Sequence, residues 1–318
     1  MTKPLVSIIM LNWNGYEDTL EALESLYNIS YPNYNIILAD NNSTNNSIEK
    51  ISDYAEGKIK VQTRYTNYHE KEVKLTLVDE DQLDHEYDNT TTADDKKLLL
   101  IQNHENYGFA RGNNIAIEYT RKYDKPEYIL LLNNDTIVAE DFLDKMVDEA
   151  ELDEKIGVVG PKFYYYDYDG SHDTIWCIGS VVDLEHYPGH HSIMDEEGYN
   201  LNGRVIECDW VSGAGMLIKT DAMPEENLDT DFFFGCEDVD MALNIKNNGY
   251  KVVTVTDAII WHKVGMSRHK NTTLETEYNH VKTNLQFIRK HKKNYYLHLP
   301  IYILQITKLY LKAVFGKV

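Results

Sequence analysis

Two patches of this 318-residue chain combine residue types able to do chemistry on a phosphorylated substrate. In the first, Leu130-Leu-Leu-Asn-Asn-Asp135 ends an apolar run on a carboxylate. A Mg²⁺ or Mn²⁺ ion there would neutralise phosphate charge, since such ions take one or two carboxylates plus substrate oxygens. His262, in Ile259-Ile-Trp-His-Lys263, also follows an apolar run and could complete the metal site. In the second patch, Glu237-Asp238-Val-Asp240 follows Phe232-Phe-Phe-Gly-Cys236. Carboxylates behind an aromatic strip lose water and their pKa rises, which suits a general base. The plainer alternative is that Glu237 or Asp238 caps a helix.

A third segment, Asn106-Tyr-Gly-Phe-Ala-Arg-Gly-Asn-Asn114, precedes a helical pattern. Its glycines let backbone approach a ligand, and Arg111 offers a planar fork for phosphate oxygens. Asp135 matches the metal-binding end of a DxD-type motif, with Asn133 where the earlier Asp would stand, so the donor set is sparer.

These residues need a scaffold, and the hydrophobic pattern supplies one. Leu5–Leu11, Tyr34–Asp40, 98–102, 128–132, 157–160 and 251–255 are short apolar runs rich in branched residues, the pattern of buried parallel strands. Helical spacing fills 16–28, 46–54, 110–122, 140–150 and 238–248. Strand and helix alternating in this way predict an α/β protein with a doubly wound, mostly parallel sheet flanked by helices. Ligands of such sheets bind outside the carboxyl ends of the strands, where Asn12, Asn14, Asp40 and Asn133 to Asp135 collect. Residues 1–270 read as one domain. Within it, 66–97 reads as an acidic, partly mobile insertion that the chemistry does not need, although Val73–Val78 has a strand-like pattern.

Charge excludes some functions. The net charge of −21 argues against nucleic-acid binding, which requires Lys and Arg against phosphates. From Tyr278 onward there is no Asp or Glu but eight Lys or Arg, while the preceding residues hold 23 basic against 52 acidic, a net of −29. Residues 271–318 therefore read as a basic amphipathic helical tail suited to an anionic membrane surface, with Pro300 a break or kink. Cys177, Cys208 and Cys236 are sparse and form no CxxC pair, and the first residues lack a cleavage pattern. The expected location is cytoplasmic, peripheral at the inner face of the cell membrane.

Seven segments in order, VSIIMLNWNG, ILADNNST, NYGFARGNN, LLLNNDT, DWVSGAGMLIK, FFGCEDVDMALNIKNNGY and WHKVGMS, resemble glycosyltransferase family 2 across roughly residues 4–268. The resemblance is to its rhamnosyltransferase-like and galactofuranosyltransferase-like branch. It implies a GT-A fold and inverting transfer of a sugar from a nucleotide diphosphate to a glycan or lipid-linked acceptor in cell-surface polysaccharide synthesis. It further implies that Asp40 contacts the nucleotide base, and that Asn106, Gly108, Arg111 and Asn113 line the ribose and diphosphate pocket. Asp135 and His262 would hold the metal, Asp238 would deprotonate the acceptor, and Trp210 and Gly213 would shape the acceptor side. Two rivals are a nucleotidyltransferase and a catalytically inactive sugar-nucleotide- or membrane-binding relative. The first would carry a basic, Gly-rich loop after the first strand, where this chain has NWNGYED; the second would have lost a carboxylate at 135 or 238. Association of the chain with copies of itself is left open.

Overall fold

A computed structural model describes residues 3–65, 71–92, 95–183, 189–192, 203–232, 235–264 and 274–315. The first half runs β1 (Val6–Asn12), α1 (Tyr16–Leu26), β2 (Tyr34–Asp40), α2 (Ser47–Ala55), β3 (Val73–Asp79), β4 (Thr90–Thr91), β5 (Lys96–Gln102), α3 (Gly108–Lys122) and β6 (Tyr128–Asn133). It continues with β7 (Thr136–Val138), α4 (Phe142–Ala150), β8 (Ile156–Tyr165), β9 (Ile175–Cys177), β10 (Ser180–Asp183), β11 (Gly189–Ser192), β12 (Val205–Cys208) and β13 (Gly215–Lys219). The last elements are α5 (Glu237–Asn247), β14 (Lys251–His262), α6 (Leu274–His291) and α7 (Leu299–Phe315). Strands lie in the order β12-β14-β8-β13-β6-β1-β2-β5-β3. The β6-β1-β2-β5-β3 half is parallel, and β13 joins it antiparallel to β6. The expected α/β architecture, a mixed sheet flanked by helices and followed by C-terminal helices, is present.

Alternation along the parallel strands explains why they read as unbroken apolar runs. Ile8, Met10, Leu38, Leu100 and Leu130 pack on one face with Leu23 of α1, Ile51 of α2 and Phe142 of α4. Ile9, Ile37, Leu99, Ile101 and Leu131 pack on the other with Ile117 of α3, Ile245 of α5 and Phe287 of α6. Both faces are covered, so both sets of side chains must be apolar. Every aligned strand then ends on the same side, and Asp79, Gln102, Asp40, Asn12 and Asn133 stand in a row.

The acidic stretch departs from the expectation in one respect. Residues 66–70 and 93–94 lie outside the described ones, but Val73–Asp79 is an integral edge strand, paired parallel with β5 from Val73↔Lys96 to Asp79↔Gln102. Its start is tied to α1 by Lys71, whose Nζ lies 2.6 Å from the fully buried Glu24. Lys74 and Thr76 interrupt its apolar residues, and at the edge of the sheet Lys74 and Leu77 stay exposed while Val73 and Val78 are buried. Strand β14 runs seven residues beyond the expected 255, with a register shift between Val255 and Ile259 against β8.

Candidate active site

The row of strand ends holds most of the residues singled out in the sequence, and their hydrogen bonds divide them by role. Asn12 is fully buried and donates from Nδ2 to Asp40 Oδ2 (2.6 Å) and Ser43 Oγ (3.1 Å), while its Oδ1 accepts from Thr19 (2.9 Å). Asp40 is also buried; its Oδ1 accepts the Ser43 amide at 2.8 Å and its Oδ2 the Ser43 hydroxyl at 2.7 Å. Asn14 adopts a left-handed conformation (φ 57°) and accepts the amides of Thr44 and Asn45. Asn12, Asn14 and Asp40 thus lock the turn at 41–45 into shape. The structure gives Asp40 this bracing work directly, with both oxygens engaged.

Asp135 and His262 meet. His262 Nε2 lies 3.1 Å from Asp135 Oδ1, although 127 residues separate them. Register brings this about: β7 pairs His262 with Thr136, and the Lys263 amide donates to the Asp135 carbonyl at 2.9 Å. The ring is buried, packs edge-on against Trp176 with centroids 4.5 Å apart, and its Nδ1 has no hydrogen-bond partner among the described residues. A hard divalent ion fits such a pair. Ligands about 2.1 Å from an octahedral centre stand about 3 Å apart, so one carboxylate oxygen and one imidazole nitrogen at this spacing can be neighbours on it. Ligation would use Nε2, the ring nitrogen that faces Asp135; Nδ1 points elsewhere and would gain nothing from it.

Asp238 stands at the second position of α5, and Cys236, with φ 72° and no side-chain cap, is the residue before the helix. Asp238 is therefore not the residue before the helix, although one of its oxygens satisfies a first-turn amide. Its Oδ1 accepts the Val239 amide at 2.8 Å, and its Oδ2 accepts the Gly213 amide at 2.9 Å from a distant loop. Loss of water raises its pKa above the usual carboxylate value; those amides and the Trp210 indole pull against the rise without cancelling it. Gly213 is required by space, because a Cβ there would sit 3.2 Å from the Asp238 Cβ. The next residue, Ala214, accepts from the Asn133 amide at 3.2 Å. One hydrogen bond thus joins the end of β6 to the loop that holds Asp238.

With this geometry in view, residues 4–280 match the family described as glycosyltransferase like family 2. The chain belongs to that family. Among curated proteins, the uncharacterised protein y4gI of Sinorhizobium fredii is 27% identical over 187 residues, 56% of this chain but 19% of its own length. The chain therefore spans about a fifth of that relative. Solved structures agree on the GT-A fold. The mannosyltransferase PcManGT of Pyrobaculum calidifontis, in complex with GDP-Man and Mn²⁺, is 16% identical, with a TM-score of 0.58 over 99% of this chain and 77% of its own. GalNAc-T7, with UDP, GalNAc and Mn²⁺, has a TM-score of 0.56 at 13% identity, covering 81% of this chain and 44% of its own. S. aureus TarS 1-349 has a TM-score of 0.51 at 12% identity, covering 89% and 64%.

The loop before α3 is held by side-chain amides. Asn41 Nδ2 donates to Asn106 Oδ1 (3.1 Å) and the Gly108 carbonyl (3.0 Å), and Asn103 donates to Asn41 Oδ1 (3.0 Å). Gly108 takes φ +75°, and α3 approaches β1 so closely that a Cβ on Gly112 would lie 2.8 Å from Leu11. Arg111 is exposed, its guanidinium 4.5 Å over the Tyr107 ring, and so is available to a phosphate. Asn113 is different: it is buried and donates to the Phe109 carbonyl inside the helix, so the structure does not present it to a ligand. Glu237 is buried beside Asp238, and Asn133 lies at the end of β6.

Several residues of the site escaped sequence reasoning. Asn134 donates to Thr19 (2.9 Å) and the Gly15 carbonyl (3.3 Å), closing the gap between β6 and α1. Lys263 is tucked against Asp18 (2.6 Å) and Glu21 (2.9 Å) of α1. Burial would lower its pKa, but these two carboxylates outweigh burial and raise it. The signal was available: Asp18 and Glu21 are three apart on a helix, and Lys263 directly follows His262. Glu80, just past β3, accepts from Tyr107 (2.8 Å) and the His104 amide (3.1 Å). Near it Asp79, Asp81 and His104 bring three ligand-type atoms within 4.8 Å of one another, with Asp81 and His104 exposed.

Proposed function

We propose that this enzyme is an inverting, metal-assisted hexosyltransferase of the rhamnosyl or galactofuranosyl type. Its donor would be dTDP-rhamnose or a UDP-sugar, and its acceptor a hydroxyl of a glycan or lipid-linked saccharide in cell-surface polysaccharide synthesis. The observation that carries the reading is Asp238: a carboxylate of raised pKa, held by Gly213, one hydrogen bond away from the strand that bears Asp135.

Asp135 and His262 would hold Mg²⁺ or Mn²⁺, which when bound offsets the charge of the diphosphate leaving group. Arg111 adds a fixed positive charge on the nucleotide side. The turn at 41–45 and the Asn106–Gly108 loop position base, ribose and phosphates through backbone and amide groups. Asp238 accepts the proton of the acceptor hydroxyl as its oxygen attacks the anomeric carbon; the bond to the diphosphate breaks on the opposite face, and its electron pair leaves with the phosphate. Trp210 and Gly213 orient Asp238 and bound the acceptor side. Both carboxylates are present, which favours this over an inactive relative.

The test is a donor screen. Purified protein is incubated with dTDP-, UDP- and GDP-sugars, with and without Mn²⁺ or Mg²⁺, and nucleotide diphosphate release is measured. One donor should respond and chelator should silence it, and the anomeric configuration of the product should be inverted by NMR. Retained configuration, or equal rates in chelator, would overturn the inverting or the metal-assisted part.

A further inference from the structure

Helices α6 and α7 differ in composition and in environment: α6 is largely polar, α7 largely apolar. Phe287 and Ile288 of α6 are fully buried on the second face of the sheet. At its end, Lys290 and His291 reach the buried Asp240 of α5 at 2.9 and 2.7 Å. The α6 helix is therefore part of the body. In α7, Tyr302 is buried beside Cys236, but Ile303, Leu304 and Tyr310 are 62%, 58% and 66% exposed. Leu297, Ile301 and Leu311 are exposed as well. At about 100° per residue, Leu304 and Leu311 fall opposite Tyr302 and Ile303 lies about a quarter-turn from it, on sides where a solvated helix would carry polar residues. An apolar face of this extent marks an interaction surface.

Charge identifies what covers it. The chain from Tyr278 carries eight basic residues and no acidic one, on a protein whose remainder has a net charge of −29. Lys282, Arg289, Lys293 and Lys308 are exposed. Two such tails face to face would set basic on basic, whereas an anionic lipid surface attracts the tail and repels the body. No helix among the described residues is long and apolar enough to cross a membrane. At 17 residues α7 is about 25 Å long, short of the ~30 Å hydrocarbon core.

We propose that α7 is an interfacial helix that seats this enzyme on an anionic bilayer, with Ile303, Leu304 and Leu311 in the acyl boundary and Lys293 and Lys308 among the headgroups. Each basic residue so placed tightens binding about five-fold at low salt. The inference does not rest on the sugar-transfer reading, because seating needs neither donor nor acceptor.

The test is flotation of the full chain with vesicles of phosphatidylcholine alone or carrying about a third phosphatidylglycerol. The protein should float with the anionic vesicles, at least tenfold better than with neutral ones, and lose binding as salt rises. Ile303→Asp with Leu304→Asp should abolish flotation at an unchanged circular dichroism spectrum. Should that pair misfold, Lys293→Glu with Lys308→Glu, which leaves the apolar face intact, should weaken it at least tenfold. Failure of the wild-type chain to float at low salt would overturn the proposal. So would a dimer that Leu304→Asp dissolves while flotation is absent, which would assign the face to a second copy.

Discussion

The ends of β1 and β2 and the surroundings of His262 and Asp238, the sides we assign to nucleotide and acceptor, are built on opposite plans. Along the ends of β1 and β2, Asn12, Asp40, Ser43, Asn14 and Thr44 satisfy one another, and the side chains are closed into a brace before any ligand arrives. Around His262 and Asp238 the groups are held but not settled: one ring nitrogen has no hydrogen-bond partner among the described residues, and burial raises the pKa of a carboxylate even though both its oxygens accept amides. Binding calls for a shape fixed in advance, so its groups can be spent on each other. Reaction calls for groups held away from their preferred state.

The sharpest test of this contrast is Asp238→Asn. Asn keeps the shape but cannot take a proton, so transfer should fall about 10²-fold or more at unchanged donor affinity. A transfer assay beside calorimetric donor titration checks it; near-normal transfer would pass the base role to Glu237. Stability should move the other way. A carboxyl whose folded pKa lies above its unfolded value destabilises the fold once ionised, so above that raised pKa the variant should melt higher than wild type. The gap should close as pH falls below the ordinary carboxylate value. In the wild type the acid limb of the rate profile should likewise lie above that value.

Asp135→Ala should come next, lowering Mn²⁺ affinity about tenfold or more and weakening the donor with it, as read by metal titration of the free protein and then by donor titration. Gly213→Ala should displace Asp238 by a few tenths of an ångström, since the new Cβ would stand 3.2 Å from the Asp238 Cβ. The expected result is roughly a tenfold lower kcat with donor binding kept. On the braced side the effects should be smallest. Glu80→Gln weakens its bonds to Tyr107 and His104 at a solvent-accessible edge, and KM for the donor should rise only about two- to three-fold. A large loss there, or a mild one at Asp238, would reverse the contrast.

The sequence announced the parallel strands plainly, because burial on both faces leaves unbroken apolar runs such as Ile8-Ile-Met and Leu98-Leu-Leu-Ile101. It also located the strand ends. It could not say which strand-end groups face a ligand: Asp40 and Asn113 have the right types, but their partners, Ser43 and the Phe109 carbonyl, appear only in three dimensions. Strand β3 was obscured for a different reason. It is an edge, and the carboxylates just after it are matched by His104 and Tyr107, more than twenty residues on, at a distance no local pattern reports. Lys263 was legible only in retrospect, since its partners lie at the other end of the chain.

The register shift in β14 carries a consequence for how this site can change. Val252 to Val255 pair in step with Val158 to Pro161, and Ile259 to His262 pair in step with Lys162 to Tyr165, so residues 256–258 are slack between two fixed stretches. Thr256 and Asp257 fasten that slack to Arg204 and Gly203. A change of length inside it would be absorbed as a larger or smaller bulge, leaving His262 beside Asp135. A change on either side would slide the strand by one place and turn the imidazole to the wrong face. The fold has a joint there, where a change of chain length can be taken up without moving His262.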